Sequence, residues 1–232
     1  MNTVSKALTG LAATAAATYA GYAAWTYARY GRTTRPNGHA DPLLDRFIPD
    51  YEAHDRHSVI VRAPMAVTFS AARNMDLHDS PVARAILAVR TLPSLLKDGA
   101  QEPEPRGLLY ETLALGWGIL ADTPEEIVVG AVTKPWEPIV TFHAVPPQDF
   151  ARFSEPGFAK IAWTLAVEPI DEATCRFVSE TRVATTDAAS REKFRRYWAL
   201  MSPGIRLIRM EAGRLVKREA ERMAHEPLVA HA

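Results

Sequence analysis

From Asp187 to about Ala224 the chain carries apolar residues at helical spacing, and this run constrains the fold more than any other feature. Phe194, Trp198, Met201, Ile205, Ile208, Ala212 and Leu215 recur three or four apart and so share one face of a helix. Asp187 is positioned to cap its first turn through a side-chain oxygen. A long helix with one wide apolar stripe must bury that stripe against a second layer, and a sheet is the layer that can cover its whole length. Ser202-Pro203-Gly204 interrupts the run, so a kink or break is expected there.

The residues before the helix supply such a sheet. Short segments rich in β-branched residues, each bounded by turn formers, lie at 113–121, 127–133, 139–143, 159–168 and 174–185. Asp122-Thr123-Pro124-Glu125 and Pro169-Ile170-Asp171-Glu172 read as hairpin connections. Upstream, 57–62 reads as a further strand, followed by a helix beginning at Pro64. A second helix opens at Ser80-Pro81 with Val82, Ile86 and Val89 on one face. Leu43, Leu44, Phe47 and Ile48, behind Asp41 and Pro42, predict a short amphipathic helix at the start of the domain.

The N-terminal segment stands apart. No charged residue occurs from Ala7 to Ala28, and a helix of that span is roughly 33 Å long, enough to cross a hydrocarbon core about 30 Å thick. Tyr19, Tyr22, Trp25, Tyr27 and Tyr30 suit an interfacial belt, and Arg29, Arg32 and Arg35 outweigh Lys6 plus the amino terminus. These features predict a single-pass cell-membrane protein, held through residues 7–28, with its C-terminal domain in the cytoplasm. The many Ala and Thr residues keep two other readings open, a cleaved signal peptide and a surface-lying helix. The resulting organisation is an N-terminal anchor or signal-like helix over 1–35, a linker over 36–42, a domain over 43–225 and a tail over 226–232.

The residues themselves carry a family resemblance. It runs through Asp76-Leu77-His78-Asp79-Ser80-Pro81-Val82-Ala83-Arg84-Ala85, Val128-Val129-Gly130-Ala131-Val132-Thr133-Lys134-Pro135-Trp136 and Glu155-Pro156-Gly157-Phe158-Ala159-Lys160-Ile161-Ala162-Trp163. It continues in Ser179-Glu180-Thr181-Arg182-Val183, Phe194-Arg195-Arg196-Tyr197-Trp198 and Ser202-Pro203-Gly204-Ile205. From Leu43 to Ala224 the chain resembles the START/Bet v 1-like (SRPBCC, polyketide cyclase-like) superfamily, in a bacterial subgroup of unassigned function. The resemblance implies an α+β helix-grip fold, a curved antiparallel sheet wrapped around the long C-terminal helix. It also implies a cavity between sheet and helix that holds a hydrophobic small molecule or lipid. The alternatives are a polyketide cyclase/dehydratase-like enzyme and a non-enzymatic protein-interaction module.

Trp117, Trp136 and Trp163 lie on or beside predicted strands, and Tyr197 and Trp198 lie on the long helix, where amphipathic rings suit a pocket lining or ordinary core. Glu180 and Arg182 are two apart on a strand and so share a face. If that face is the concave one, they are ligand-binding residues, or a base and an oxyanion partner if the protein is an enzyme. Otherwise they are a solvent-facing or mutually neutralising pair, and Lys160 is a weaker, solvated residue of the same type.

Basic and acidic residues balance at 27 each, so no nucleic-acid partner is expected. A local excess on the last helix, ten basic residues against four acidic ones between Ser190 and Ala224, reads as a solvated face with ion pairs such as Glu192 with Arg196. Cys175 is the only cysteine, which excludes an intramolecular disulfide framework. Glu52, His54, Asp55 and His57 offer ligand types, but the two imidazoles fall on opposite faces of a strand, so no metal site is expected. Phosphate-binding and nucleophile-elbow motifs are missing, and no cofactor is expected.

Overall fold

In the computed structural model, residues 3–31, 41–86, 88 and 107–226 are described, for 3–9, 11 and 12 the backbone alone. The elements run α1 (Thr3–Arg29), α2 (Pro42–Asp45), β1 (Ala53–Val61), α3 (Met65–Arg73), a 3-10 turn (Leu77–Asp79) and a helical stretch α4 over 81–86. They continue as α5 (Leu108–Ala114), β2 (Gly118–Asp122), β3 (Glu126–Thr133), β4 (Phe142–His143), α6 (Pro147–Phe150), β5 (Ala159–Pro169), β6 (Cys175–Thr185) and α7 (Ala188–His225). Most of the predicted linker, residues 89–106 with Val89, and the tail beyond 226 lie outside the described residues.

The strands form one antiparallel sheet in the order β1-β6-β5-β3-β2, with β4 paired to β3. With α7 packed across it, this is the helix-grip arrangement, an α+β fold. Across β1, β6, β5 and β3 the register pairs odd residues with odd and even with even. One face of the sheet is therefore built from odd-numbered side chains and the other from even-numbered ones. The odd face meets α3 and α7, where Val61, Phe69, Met75, Ile127, Val129, Leu165, Phe177, Leu215 and Val216 form the main core. The even face is also covered: Leu44, Phe47 and Ile48 pack with Val128, Val132, Ala162 and Phe150. Burying each of these large apolar side chains contributes about 1.5–3 kcal/mol, so the short 41–48 segment is firmly held. Asp41 caps it, accepting the Leu44 N–H at 2.8 Å, with Pro42 at the first helical position.

Several expectations are corrected. The segment 113–121 is not one strand: Leu113 and Ala114 end α5, and Gly116, at φ +101, turns the chain into β2. The strand expected at 139–143 shrinks to Phe142–His143, after a stretch in which Pro135 and Pro138 cannot donate to a ladder. The chain does not break at Pro203, and α7 runs through it. Pro203 removes the donor that would meet the Ala199 carbonyl. The neighbouring Leu200 carbonyl accepts the Tyr19 hydroxyl of α1.

That contact belongs to the largest correction, which concerns the predicted single-pass span. Among the described residues no helix is long and apolar enough to cross a membrane. Length is sufficient in α1, but Ala contributes little apolar surface, and Thr and Gly weaken the span further. Instead of forming a belt, Tyr19, Tyr27 and Tyr30 bond to the rest of the protein. The Tyr27 hydroxyl donates to Glu192 at 3.0 Å, and its carbonyl accepts from Arg195 Nε at 2.9 Å. The Arg195 guanidinium stacks on the Tyr27 ring at 3.7 Å. Tyr30 donates to Glu52 at 3.0 Å, and its ring packs by Phe194. Glu192 also meets Arg196 at 3.0 Å, the helical pair expected from the sequence.

Candidate functional site: the groove under the C-terminal helix

Helical periodicity places Trp198, Ser202, Ile205, Arg209, Ala212 and Val216 on the stripe of α7 that meets the odd face of the sheet. The helix packs chiefly on β1 and β6 and barely reaches β5. Ile161 and Trp163, on the odd face of this central strand, consequently remain partly exposed, whereas Leu165 and Val167 farther along are buried under α3. Around them, Ile205, Ile208, Leu109 and Trp117 are likewise only partly buried. Apolar side chains left incompletely covered in the middle of a sheet make this strip beside α7 a candidate groove.

The groove has a polar side. Row partners Asp55, Thr181 and Trp163 lie across β1, β6 and β5, with Arg209 above them. Arg209 is buried and sits with Nε 2.8 Å from Asp55 Oδ2, while Nη1 donates to Ser179 Oγ at 2.9 Å and Nη2 to Thr181 Oγ1 at 2.5 Å. Burial pushes the guanidinium pKa down and Asp55 pushes it up; arginine keeps its charge in either case. Arg206 adds a second cation 3.7 Å from Asp55 Oδ1. One turn from Ile205, the Ser202 hydroxyl is buried, its residue 5 % exposed, and it has no hydrogen-bond partner among the described residues. His57, on the same face, sits against Gly213, where an added Cβ would lie 3.2 Å from its ring. Burial lowers its pKa, so the ring is held neutral, partly opposed by Asp55.

The residues expected from sequence separate into three places. Trp117 and Trp163 pack against the main core, Trp117 also lying 5.0 Å from the Phe142 ring. Trp136, Tyr197 and Trp198 join Ala53, Ala159, Val183 and Phe194 in another cluster, with Ile161 and Ile205 at its edge. Glu180 and Arg182 are even-numbered and lie on the opposite face from α7, under the 41–51 segment. They therefore do not face α7. There Arg182 Nε donates to Glu180 at 2.8 Å, and Arg182 Nη1 donates to the Ile48 carbonyl at 3.2 Å and pairs with Asp45. Glu180 also meets His54 Nε2 at 3.1 Å and Arg56 Nε at 3.4 Å. Burial raises its pKa, but the bonds from His54 and Arg182 outweigh that and hold it below the usual carboxylate value. Lys160, on this even face, is not simply solvated: it donates to the Ala151 carbonyl at 2.8 Å, and burial lowers its pKa.

A cleft of about 240 Å³ opens beside this network, lined by Asp41, Arg56, Glu126, Glu168, Val178 and Glu180 among others. Thr164 donates to Glu126 at 2.6 Å. Burial, then Asp41 and Glu180, push Glu126 up to about 7 against that bond. Sequence reasoning missed Arg209, Ser202 and Glu126. Arg209 and Ser202 interrupt an apolar stripe, which was a readable signal; Glu126 had none, because its shift depends on Asp41 arriving from far along the chain.

No protein-family model matches the chain, and no curated protein matches it significantly. Among solved structures it is similar to the Zhui aromatase/cyclase from Streptomyces sp. R1128, at 13% identity over 75% of this chain and 96% of that one, with a TM-score of 0.29. It is also similar to a conserved protein from Geobacillus kaustophilus, at 11% identity over 75% and 98% of the two chains, with a TM-score of 0.33. A third is norcoclaurine synthase from Thalictrum flavum in complex with dopamine and hydroxybenzaldehyde, at 13% identity over 84% and 99%, with a TM-score of 0.30. Likenesses this weak carry no functional inference, and the helix-grip assignment rests on the chain's own strand order and terminal helix.

Proposed function

We propose that the protein binds an apolar small molecule or lipid in the groove between α7 and the β5 region of the sheet. The observation that carries this reading is the incomplete covering of Ile161 and Trp163 beneath a helix stripe that buries an unpartnered Ser202 hydroxyl. An apolar ligand body would cover the two side chains, and a ligand oxygen or nitrogen would satisfy the hydroxyl. Arg209, fixed by Asp55, Ser179 and Thr181, places a charged donor array about two turns farther along α7. Apolar area gives affinity in such a site, and the few polar groups give orientation. Native mass spectrometry of the full chain with organic extraction tests it. A co-purifying apolar molecule near one-to-one, lost in Trp163→Ala and weakened in Ser202→Ala, supports binding. An empty protein that takes up no fluorescent fatty acid or polyaromatic probe refutes it.

A second reading, proton-transfer chemistry of the cyclase/dehydratase kind, is favoured by one observation on the other face. Glu126 and Glu180 share a cleft, one pushed up to about 7 and the other held down, as an acid and a carboxylate with separate tasks would be. In that reading Arg182 orients Glu180 rather than meeting a substrate, since its guanidinium is engaged by Glu180, Asp45 and Ile48.

A further inference from the structure

Asp76, His78 and Glu111 form a further cluster that includes none of the residues assigned to the groove or the even-face cleft. Asp76 and His78 belong to the 3-10 turn that follows α3, and Glu111 lies on the first turns of α5. The chain holds these segments together through its backbone: the Leu108 N–H donates to the Met75 carbonyl at 2.8 Å, just ahead of Asp76. Asp76 Oδ1 caps the turn by accepting the His78 N–H at 2.7 Å, which fixes the direction of its carboxylate. One donor atom from each of the three side chains lies within 4.8 Å of the others. His78 Nε2 and Glu111 Oε2 are 3.5 Å apart.

Two further facts separate this cluster from an ordinary surface ion pair. Glu111 Oε1 is buried and has no hydrogen-bond partner among the described residues, a costly state for a carboxylate oxygen. The donor set also matches a dication in charge and kind, with two carboxylates and one imidazole nitrogen. Tetrahedral ligands at about 2.0–2.1 Å from an ion stand roughly 3.3 Å from each other, close to the present His78–Glu111 separation. An Asp76 oxygen lies within 4.8 Å of both.

We propose that Asp76, His78 and Glu111 bind a divalent first-row transition ion of the Zn²⁺ type. Imidazole nitrogen favours such ions over Mg²⁺ or Ca²⁺, and three protein ligands leave a position for water. The ion ties the turn after α3 to α5, joining the two ends of the 80–106 stretch where they flank the main core.

The test uses the full chain, stripped with a chelator and titrated with zinc sulfate by calorimetry, with thermal unfolding followed in parallel. One equivalent bound, a Tm that rises with zinc concentration, and an affinity loss of about tenfold or more in both His78→Gln and Glu111→Gln are expected. Absence of saturable binding by the unaltered chain, or undiminished affinity in either variant, overturns the site. If Glu111→Gln does not fold, Asp76→Asn takes its place under the same criterion.

Discussion

Replacing Glu126 by Gln should make the protein more stable at neutral and alkaline pH, and the gain should vanish in acid. Glu126 is pushed from 4.5 up to about 7 by burial and by the Asp41 and Glu180 carboxylates. Its folded-state pKa therefore lies above its unfolded one. Between the two values the folded state holds a proton that the unfolded state has lost, so stability falls as pH rises through that window. At about 1.4 kcal/mol per pH unit the whole shift corresponds to roughly 3 kcal/mol. The side chain is only partly buried and faces an open cleft, so screening reduces this to about 1–2 kcal/mol. Glutamine keeps the acceptor for the Thr164 hydroxyl and cannot ionise. Urea denaturation followed by tryptophan fluorescence at pH 5, 6, 7 and 8 reads the difference between the two proteins directly, because groups common to both cancel. The variant should gain about 1–2 kcal/mol over this range, equivalent to about 2–6 °C in Tm. Asp41→Asn, which preserves an N-cap acceptor, should move the window to lower pH. A difference between Glu126→Gln and the unaltered protein that stays constant from pH 5 to 8 would refute the reasoning.

Two further predictions concern packing and buried charge. Arg209→Met should cost about 3–5 kcal/mol in urea melts by stranding Asp55, and an added Asp55→Leu should restore most of the loss; no recovery in the double variant would place the cost in packing instead. Gly130→Ala should cost about 1–3 kcal/mol, since the added Cβ would lie 2.4 Å from Leu120 Cδ1 and 2.9 Å from Phe150 Cζ, and an unchanged denaturation midpoint would show that both side chains move aside.

How much of this was legible in the sequence depends on the range of the interactions involved. The stripe on α7, the Asp187 cap, the Asp41–Pro42 helix start and the hairpin at 122–125 were readable because each is encoded within a few residues. The split of 113–121 into a helix and a strand was not, because it turns on Gly116 adopting a positive φ with Phe142 packed against it. Uncharged length suggested a membrane span in α1, but its hydroxyl partners, on α7 and at Glu52 just ahead of β1, lie outside the segment and left no local trace. For the site, the spacing of Glu180 and Arg182 fixed that they share a face. It carried no information on which face, since β6 is buried on both sides and shows no alternation to break the tie.

That double burial has a consequence for how the sheet assembles. Successive residues of β6 serve opposite charge networks: Ser179 and Thr181 hold Arg209 on one face, while Glu180 and Arg182 hold His54, Arg56 and Asp45 on the other. A slip of one residue would bring Arg182 beneath Arg209 and strip Asp45 of its partner. The hydrophobic pattern alone tolerates either pairing, so the alternation of hydroxyl and charged side chains along β6 is what penalises the other register.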